Sequence, residues 1–122
     1  MNWRFGWISI LAAFASGAVI GLRFHRDDFL GGYDSFRRRL LRLGHISLAA
    51  LGMLNVLFSL TPLPPDPPES ARHAALGFLV GGVTMPVVCF LTAWRRGFRH
   101  AFVVPVVALL IAAIETLRIP PP

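Results

Sequence analysis

Two histidines, His45 and His100, are the residues of this sequence best suited to binding a cofactor. Each one opens an apolar run shortly after an arginine. Neutral imidazole is a ligand that both haem iron and metal ions accept. If the two runs are helices, their first residues lie at the same depth, and the pair predicts a b-type haem or metal site. The simpler interpretation is that both imidazoles hydrogen-bond lipid headgroups or neighbouring carbonyls, and we favour it.

Glu115 and Asn55 suggest a second kind of chemistry, the transport of a proton or a cation. Glu115 is the one carboxylate inside an apolar run, and Arg118 follows it on the same helical face, which predicts a local ion pair. Asn55 is expected to form a hydrogen bond between helices. A small transporter built on these two residues is therefore an alternative, although a structural ion pair is the simpler interpretation.

The sequence contains none of the motifs that would indicate catalysis by this chain alone. The chain has no GxSxG, HExxH, P-loop or paired CxxC sequence. The single cysteine, Cys89, has no histidine at its own depth to activate it. We predict no catalytic residue and no dedicated metal motif, and the protein is not expected to be an enzyme.

Four apolar segments position these residues. The 122-residue chain is 55% hydrophobic and only 15% charged, with a mean hydropathy of +0.63; a soluble domain carries about 25% charged residues. About 20 apolar residues cross a bilayer as a helix. The sequence therefore predicts an all-α, polytopic membrane protein, a single antiparallel bundle of four transmembrane helices. The predicted helices cover residues 5–22, 35–61 (with an amphipathic juxtamembrane start at 35–44), 73–94 and 101–118.

The arginines orient this bundle. Nine of the twelve lie in the first and third linkers, and three lie at the opposite side. By the positive-inside rule, the protein is expected in a cell inner membrane with both termini on the non-cytoplasmic side. A signal peptide cleaved after Ala13–Ala15 is the rival interpretation, but it would export the six-arginine linker. The net charge of +6 does not indicate nucleic acid, since the arginines flank apolar runs. Contact with anionic headgroups is predicted for Arg37, Arg38, Arg39, Arg42, Arg95, Arg96 and Arg99.

Small residues at four-residue spacing predict close packing of the helices. Gly17 and Gly21 lie in the first predicted helix, and Gly77 and Gly81 in the third. Such spacing lets helix backbones approach closely in lipid. Together with the scarcity of polar residues in the spans, it favours a non-catalytic accessory subunit. Its partners would be the other subunits of a larger membrane complex, or further copies of the same chain.

Overall fold

The computed structural model describes residues 1–119, which form helices and connecting turns without any strand. The α-helices are α1 (Asn2–Gly21), α2 (Phe36–Ser59), α3 (Glu69–Trp94) and α4 (Val103–Leu117), with 3-10 segments at Phe29–Gly31 and Arg96–Phe102. Counting the second 3-10 segment with α4, all four helices are long and apolar enough to cross a membrane. The predicted all-α four-helix bundle is confirmed.

The starts of α3 and α4 differ from the predicted ones. Helix α3 begins at Glu69, four residues before the predicted start at position 73. Pro68 holds the extended conformation just before the helix, and the Glu69 carboxylate lies favourably at the positive end of the helix dipole. Helix α4 begins at Val103 because residues 96–102 first form a 3-10 segment. Pro105 is tolerated in the first turn of α4, where its missing N–H breaks no helical bond.

Within residues 1–119, the four helices do not form a closed bundle, in which α4 would also pack against α1. Each helix packs against the next one along the chain, and α1 also approaches α3. Within residues 1–119, the backbone of α4 approaches only α3 and the preceding 3-10 segment. Helices α1, α2 and α3 thus form a three-helix core, and α4 lies on the outer side of α3.

This up-and-down order gives the bundle two chemically different ends. The arginine-rich end carries the connections at 22–35 and 95–102, and the proline-linker end carries residues 60–68, the start of α1 and the end of α4. Exposed tryptophans lie near both ends: Trp3 and Trp7 at the proline-linker end, Trp94 at the arginine-rich end. Tryptophan is enriched at both membrane–water interfaces, so this placement matches a bilayer between the two ends.

Glycines set the distance between α1 and α2. A Cβ atom on Gly6 would lie 2.6 Å from the carbonyl oxygen of Gly52, and one on Gly52 would lie 2.9 Å from that of Gly6. Any larger residue at either position would push the two backbones apart. Gly17, further along α1, lies under the ring of His45 from α2.

The glycines of α3 make the equivalent contact with α4. A Cβ on Gly77 would meet the Ala108 carbonyl oxygen at 2.7 Å and the Ala112 side chain at 2.8 Å, and Gly81 lies against Leu109. Gly21 does not share this role. It is the last residue of α1, where the chain turns away into the loop, and a Cβ there would have no neighbour within 4 Å. Its grouping with the packing glycines was wrong for contacts inside this chain.

Candidate functional site

A hydrogen-bonded amide network joins the three core helices near the proline-linker end. Asn55 of α2 is completely buried, and its Nδ2 donates to the Phe78 carbonyl of α3 at 3.0 Å and to the Leu51 carbonyl of its own helix at 2.9 Å. Its Oδ1 accepts a hydrogen bond of 2.9 Å from Asn2 Nδ2 of α1. The predicted interhelical bond of Asn55 is confirmed. All its donor hydrogens are used, so the amide is a structural connection between helices.

Asn2 is the partner that the sequence analysis did not single out. Its second amide hydrogen bonds the Ala75 carbonyl of α3 at 2.9 Å, so this one side chain contacts both other core helices. A signal for it exists in the sequence. Asn2, Gly6, Ser9 and Ala13 are small or polar, and they recur at the spacing of one helix face. All four are buried.

His45 lies against α1. Its Nδ1 is 3.1 Å from Ser16 Oγ, and the edge of its ring packs on Gly17. The Ser16 hydroxyl donates its hydrogen to the Ala13 carbonyl at 3.1 Å. When the hydroxyl donates to Ala13, Ser16 Oγ accepts from His45 Nδ1–H, because the hydroxyl has only one hydrogen to donate. In neutral His45, this bond leaves the lone pair on Nε2.

His100 has different neighbours. It is exposed on the second 3-10 segment, and its Nε2 accepts a hydrogen bond of 3.3 Å from Arg99 Nε. Joint ligation of a haem or a metal by His45 and His100 stays a prediction. Among the described residues, no group of three or more histidine, cysteine or acidic side chains is arranged to hold a metal ion.

Three of the arginines predicted to contact lipid headgroups donate hydrogen bonds to the loop between α1 and α2. Arg38 donates to the Phe24 carbonyl at 3.0 Å and stacks over the Phe24 ring at 4.3 Å. Arg39 donates twice to the Asp34 carbonyl, at 3.1 and 2.7 Å, and Arg42 once to the Tyr33 carbonyl at 3.4 Å.

Arg38 corrects the headgroup prediction most clearly. Only 3% of its surface is exposed, so it cannot reach a lipid phosphate. An aromatic face offers partial negative charge to a guanidinium, which compensates for burial without a carboxylate. We assign Arg38 to holding the loop on α2.

The other arginines predicted to contact headgroups are exposed: Arg37, Arg95, Arg96 and Arg99. Arg96 lies 5.1 Å from the centre of the Phe36 ring, so it connects the 3-10 segment with the start of α2. Two cavities meet at this contact, because Phe36 and Arg96 line both of them. This surface is the most chemically distinctive one of the molecule.

Glu115 forms the predicted ion pair with Arg118, one turn further along α4. Their closest atoms, Oε1 and Nη1, are 2.8 Å apart. The glutamate side chain is 15% exposed and that of the arginine 66%. Since water reaches the arginine freely, the pair is a boundary contact.

Cys89 is buried in the middle of α3 with a free thiol. None of the hydrogen bonds within residues 1–119 joins it to a base. A nucleophilic cysteine needs an adjacent base or a positive environment, so this geometry gives Cys89 a packing role.

Comparison of the chain with protein-family models, curated proteins and solved structures gave no match. The chemistry of the molecule therefore has to be inferred from its own residues. The buried amides of Asn2 and Asn55 connect helices, and the arginine-rich end offers exposed guanidiniums beside cavities.

Proposed function

We propose that this chain is a non-catalytic structural subunit of a larger membrane complex, with α4 as its main surface for association. The open arrangement of the helices carries this proposal. A bundle that functions alone can close around its own core, whereas within residues 1–119 the fourth helix packs on α3 as its only neighbouring α-helix.

The burial of the four helices supports the choice of α4. In the most apolar stretch of Arg96–Leu117, which contains α4, only 11% of the residues are buried, against 17% in α1 and 33% in α2 and in α3. The exposed side chains of α4 include Val103, Val107, Leu110, Ile111 and Ile114. A face of this kind can be covered by lipid or by another apolar helix, and both contacts are chemically suitable.

Five polar side chains inside the spans support a structural role. Asn2 and Asn55 bond other helices, and the hydroxyls of Ser47, Thr84 and Thr116 bond carbonyls of their own helices. A transport path requires polar groups that face a water-filled space and are free to bind cargo. These side chains already have protein partners.

The charge distribution supports the orientation that the sequence predicts. Nine arginines and three aspartates leave an excess of six positive charges at the arginine-rich end. Three arginines and three acidic residues balance at the other end. We therefore propose an inner-membrane location with the arginine-rich end in the cytoplasm and both termini on the other side.

Photo-crosslinking from α4 in intact membranes tests the association. A photoreactive phenylalanine analogue at Leu110, which is 58% exposed, is expected to crosslink to another membrane protein chain. The matched control is Met53 on α2, which is 52% exposed and also faces outward. Lipid adducts alone at Leu110, as at Met53, would contradict the proposal. If Leu110 crosslinks only to further copies of this chain, the assembly is a homo-oligomer and not a complex with other subunits.

The two alternative functions have separate tests. A visible spectrum and elemental analysis of the purified protein decide the His45–His100 cofactor site, which requires a Soret band or a bound metal. For the carrier alternative, Glu115→Gln must abolish uptake of the cargo, because glutamine cannot exchange a proton.

A further inference from the structure

A cavity of about 340 Å³ lies at the arginine-rich end, between the start of α2, the end of α3 and the second 3-10 segment. It is lined by Phe36, Leu40, Thr92, Arg96, Arg99 and Phe102. Three of these side chains are apolar or aromatic, and two carry a guanidinium. Apolar walls beside a few converging polar groups are typical of a small-molecule site.

Thr92 is the unusual member of this lining. It is only 1% exposed, and its hydroxyl has no hydrogen-bond partner within the described chain. Other helical hydroxyls behave differently: Thr84 donates to the Val80 carbonyl at 2.6 Å, and Thr116 to the Ala112 carbonyl at 2.7 Å. A buried hydroxyl without a partner costs free energy, so a ligand that supplies an acceptor would be stabilised here.

Arg96 and Arg99 also have unused donors. Within residues 1–119 neither of them forms an ion pair with a carboxylate, whereas Arg26 pairs with Asp28 and Arg118 with Glu115. The neighbouring Arg38, Arg39 and Arg42 are already bonded to loop carbonyls. Arg99 Nε bonds His100, but the terminal nitrogens of both guanidiniums form no hydrogen bond within residues 1–119. The cavity thus combines two guanidiniums that have unused donors with one hydroxyl that has no partner.

We propose that this cavity binds the headgroup of one anionic phospholipid. The phosphate lies between Arg96 and Arg99, whose planar donor groups match its oxygens in bidentate geometry. Thr92 donates to an ester or glycerol oxygen, and an acyl chain follows the apolar wall of Phe36, Leu40 and Phe102. This site is more specific than the general attraction of arginines to a negative surface. It rests on the membrane placement of the helices and is independent of the association through α4.

Lipid retention by the full chain tests the site. The protein is reconstituted in phosphatidylcholine nanodiscs with a minor fraction of phosphatidylglycerol, and retained lipids are counted by native mass spectrometry. One phosphatidylglycerol per chain is expected. Arg96→Gln and Arg99→Gln should each lower its retention by about tenfold, as expected for a charge-assisted hydrogen bond, and Thr92→Val by about threefold, as for a neutral one.

Arg23→Gln is the matched control. Arg23 is exposed at the same end and does not line the cavity, so this change removes the same charge. Retention should then stay within about twofold of the wild type, because exposed charges contribute little individually. An equal loss in Arg23→Gln and Arg96→Gln would overturn the site in favour of diffuse attraction. Thr92→Val preserves charge and volume, so unchanged retention in that variant would also overturn it.

Inorganic phosphate distinguishes a lipid from a free anion. In nanodiscs of phosphatidylcholine alone, added phosphate should not bind the chain, because it leaves the apolar wall unfilled. It should also fail to displace phosphatidylglycerol. Binding of phosphate alone, with displacement of the lipid, would overturn the assignment to a phospholipid.

Discussion

Replacing Asn55 by alanine should destabilise the bundle more than the loss of a single polar side chain usually does. The amide makes two bonds to other helices, one with Asn2 and one with the Phe78 carbonyl. Interhelical hydrogen bonds in membranes contribute about 0.6 kcal/mol each, and a stranded buried N–H, here that of Asn2, costs about 1 kcal/mol. The expected loss in free energy of unfolding is therefore about 2 kcal/mol.

Reversible unfolding in mixed detergent micelles, followed by circular dichroism, measures this loss. Ser59→Ala is the control, since Ser59 is exposed on the same helix and its hydroxyl bonds only the Val56 carbonyl of that helix. It should change the free energy of unfolding by less than about 0.5 kcal/mol.

A double-mutant cycle with Asn2→Ala isolates the bond between the two amides. Because each single change removes the same contact, the losses should not add, and the coupling energy should be about 0.6 kcal/mol or more. A coupling of zero, together with an Asn55→Ala loss no larger than that of Ser59→Ala, would refute the network.

Three further predictions follow from the packing, the ion pair and the charge distribution. Gly52→Ala should lower the free energy of unfolding by about 1–3 kcal/mol because its Cβ would meet the Gly6 carbonyl. Gly21→Ala should leave the free energy of unfolding unchanged or raise it by up to about 1 kcal/mol. Equal effects of the two changes in the same unfolding assay would contradict the assigned contacts. Glu115→Gln should lower the free energy of unfolding by less than about 1 kcal/mol, since Arg118 is well exposed; a larger loss would show that the carboxylate has a buried role. In a Cys89→Ala background, a cysteine at Gly97 should react with an impermeant maleimide only from the cytoplasmic side and one at Asp66 only from the other; the reverse pattern would invert the topology.

The membrane fold was predictable because lipid restricts the options so strongly. A charge-free stretch such as residues 5–22 has to be a helix if it lies in a bilayer, since its backbone groups find no other partners. Asn55 was predictable for the same reason, because a buried amide in lipid needs a bonding partner. The ion pair of Glu115 followed from the three-residue spacing to Arg118.

Other features depend on tertiary contacts that a linear pattern does not contain. Helix α4 carries small residues like those of α1, and their spacing does not indicate that, within residues 1–119, α4 packs on no other α-helix than α3. Gly21 repeats the spacing of Gly17, but it lies at the end of its helix, where a Cβ would have no neighbour within 4 Å among residues 1–119. Arg38 belongs to an arginine cluster that looks uniform, although two aromatic rings and a carbonyl bury this one member. Thr92 differs from Thr84 and Thr116 in that its hydroxyl has no hydrogen-bond partner among residues 1–119. Only the three-dimensional structure shows this difference.

The most direct test of the proposed role is the mass of the particle that contains this chain in its own membrane. Extraction into polymer nanodiscs, without detergent, followed by native mass spectrometry gives the composition and the stoichiometry. We expect the 13.4 kDa chain in a fixed ratio with another membrane protein. A particle that holds a single copy of this chain alone, with a measurable transport or catalytic activity, would contradict the structural role.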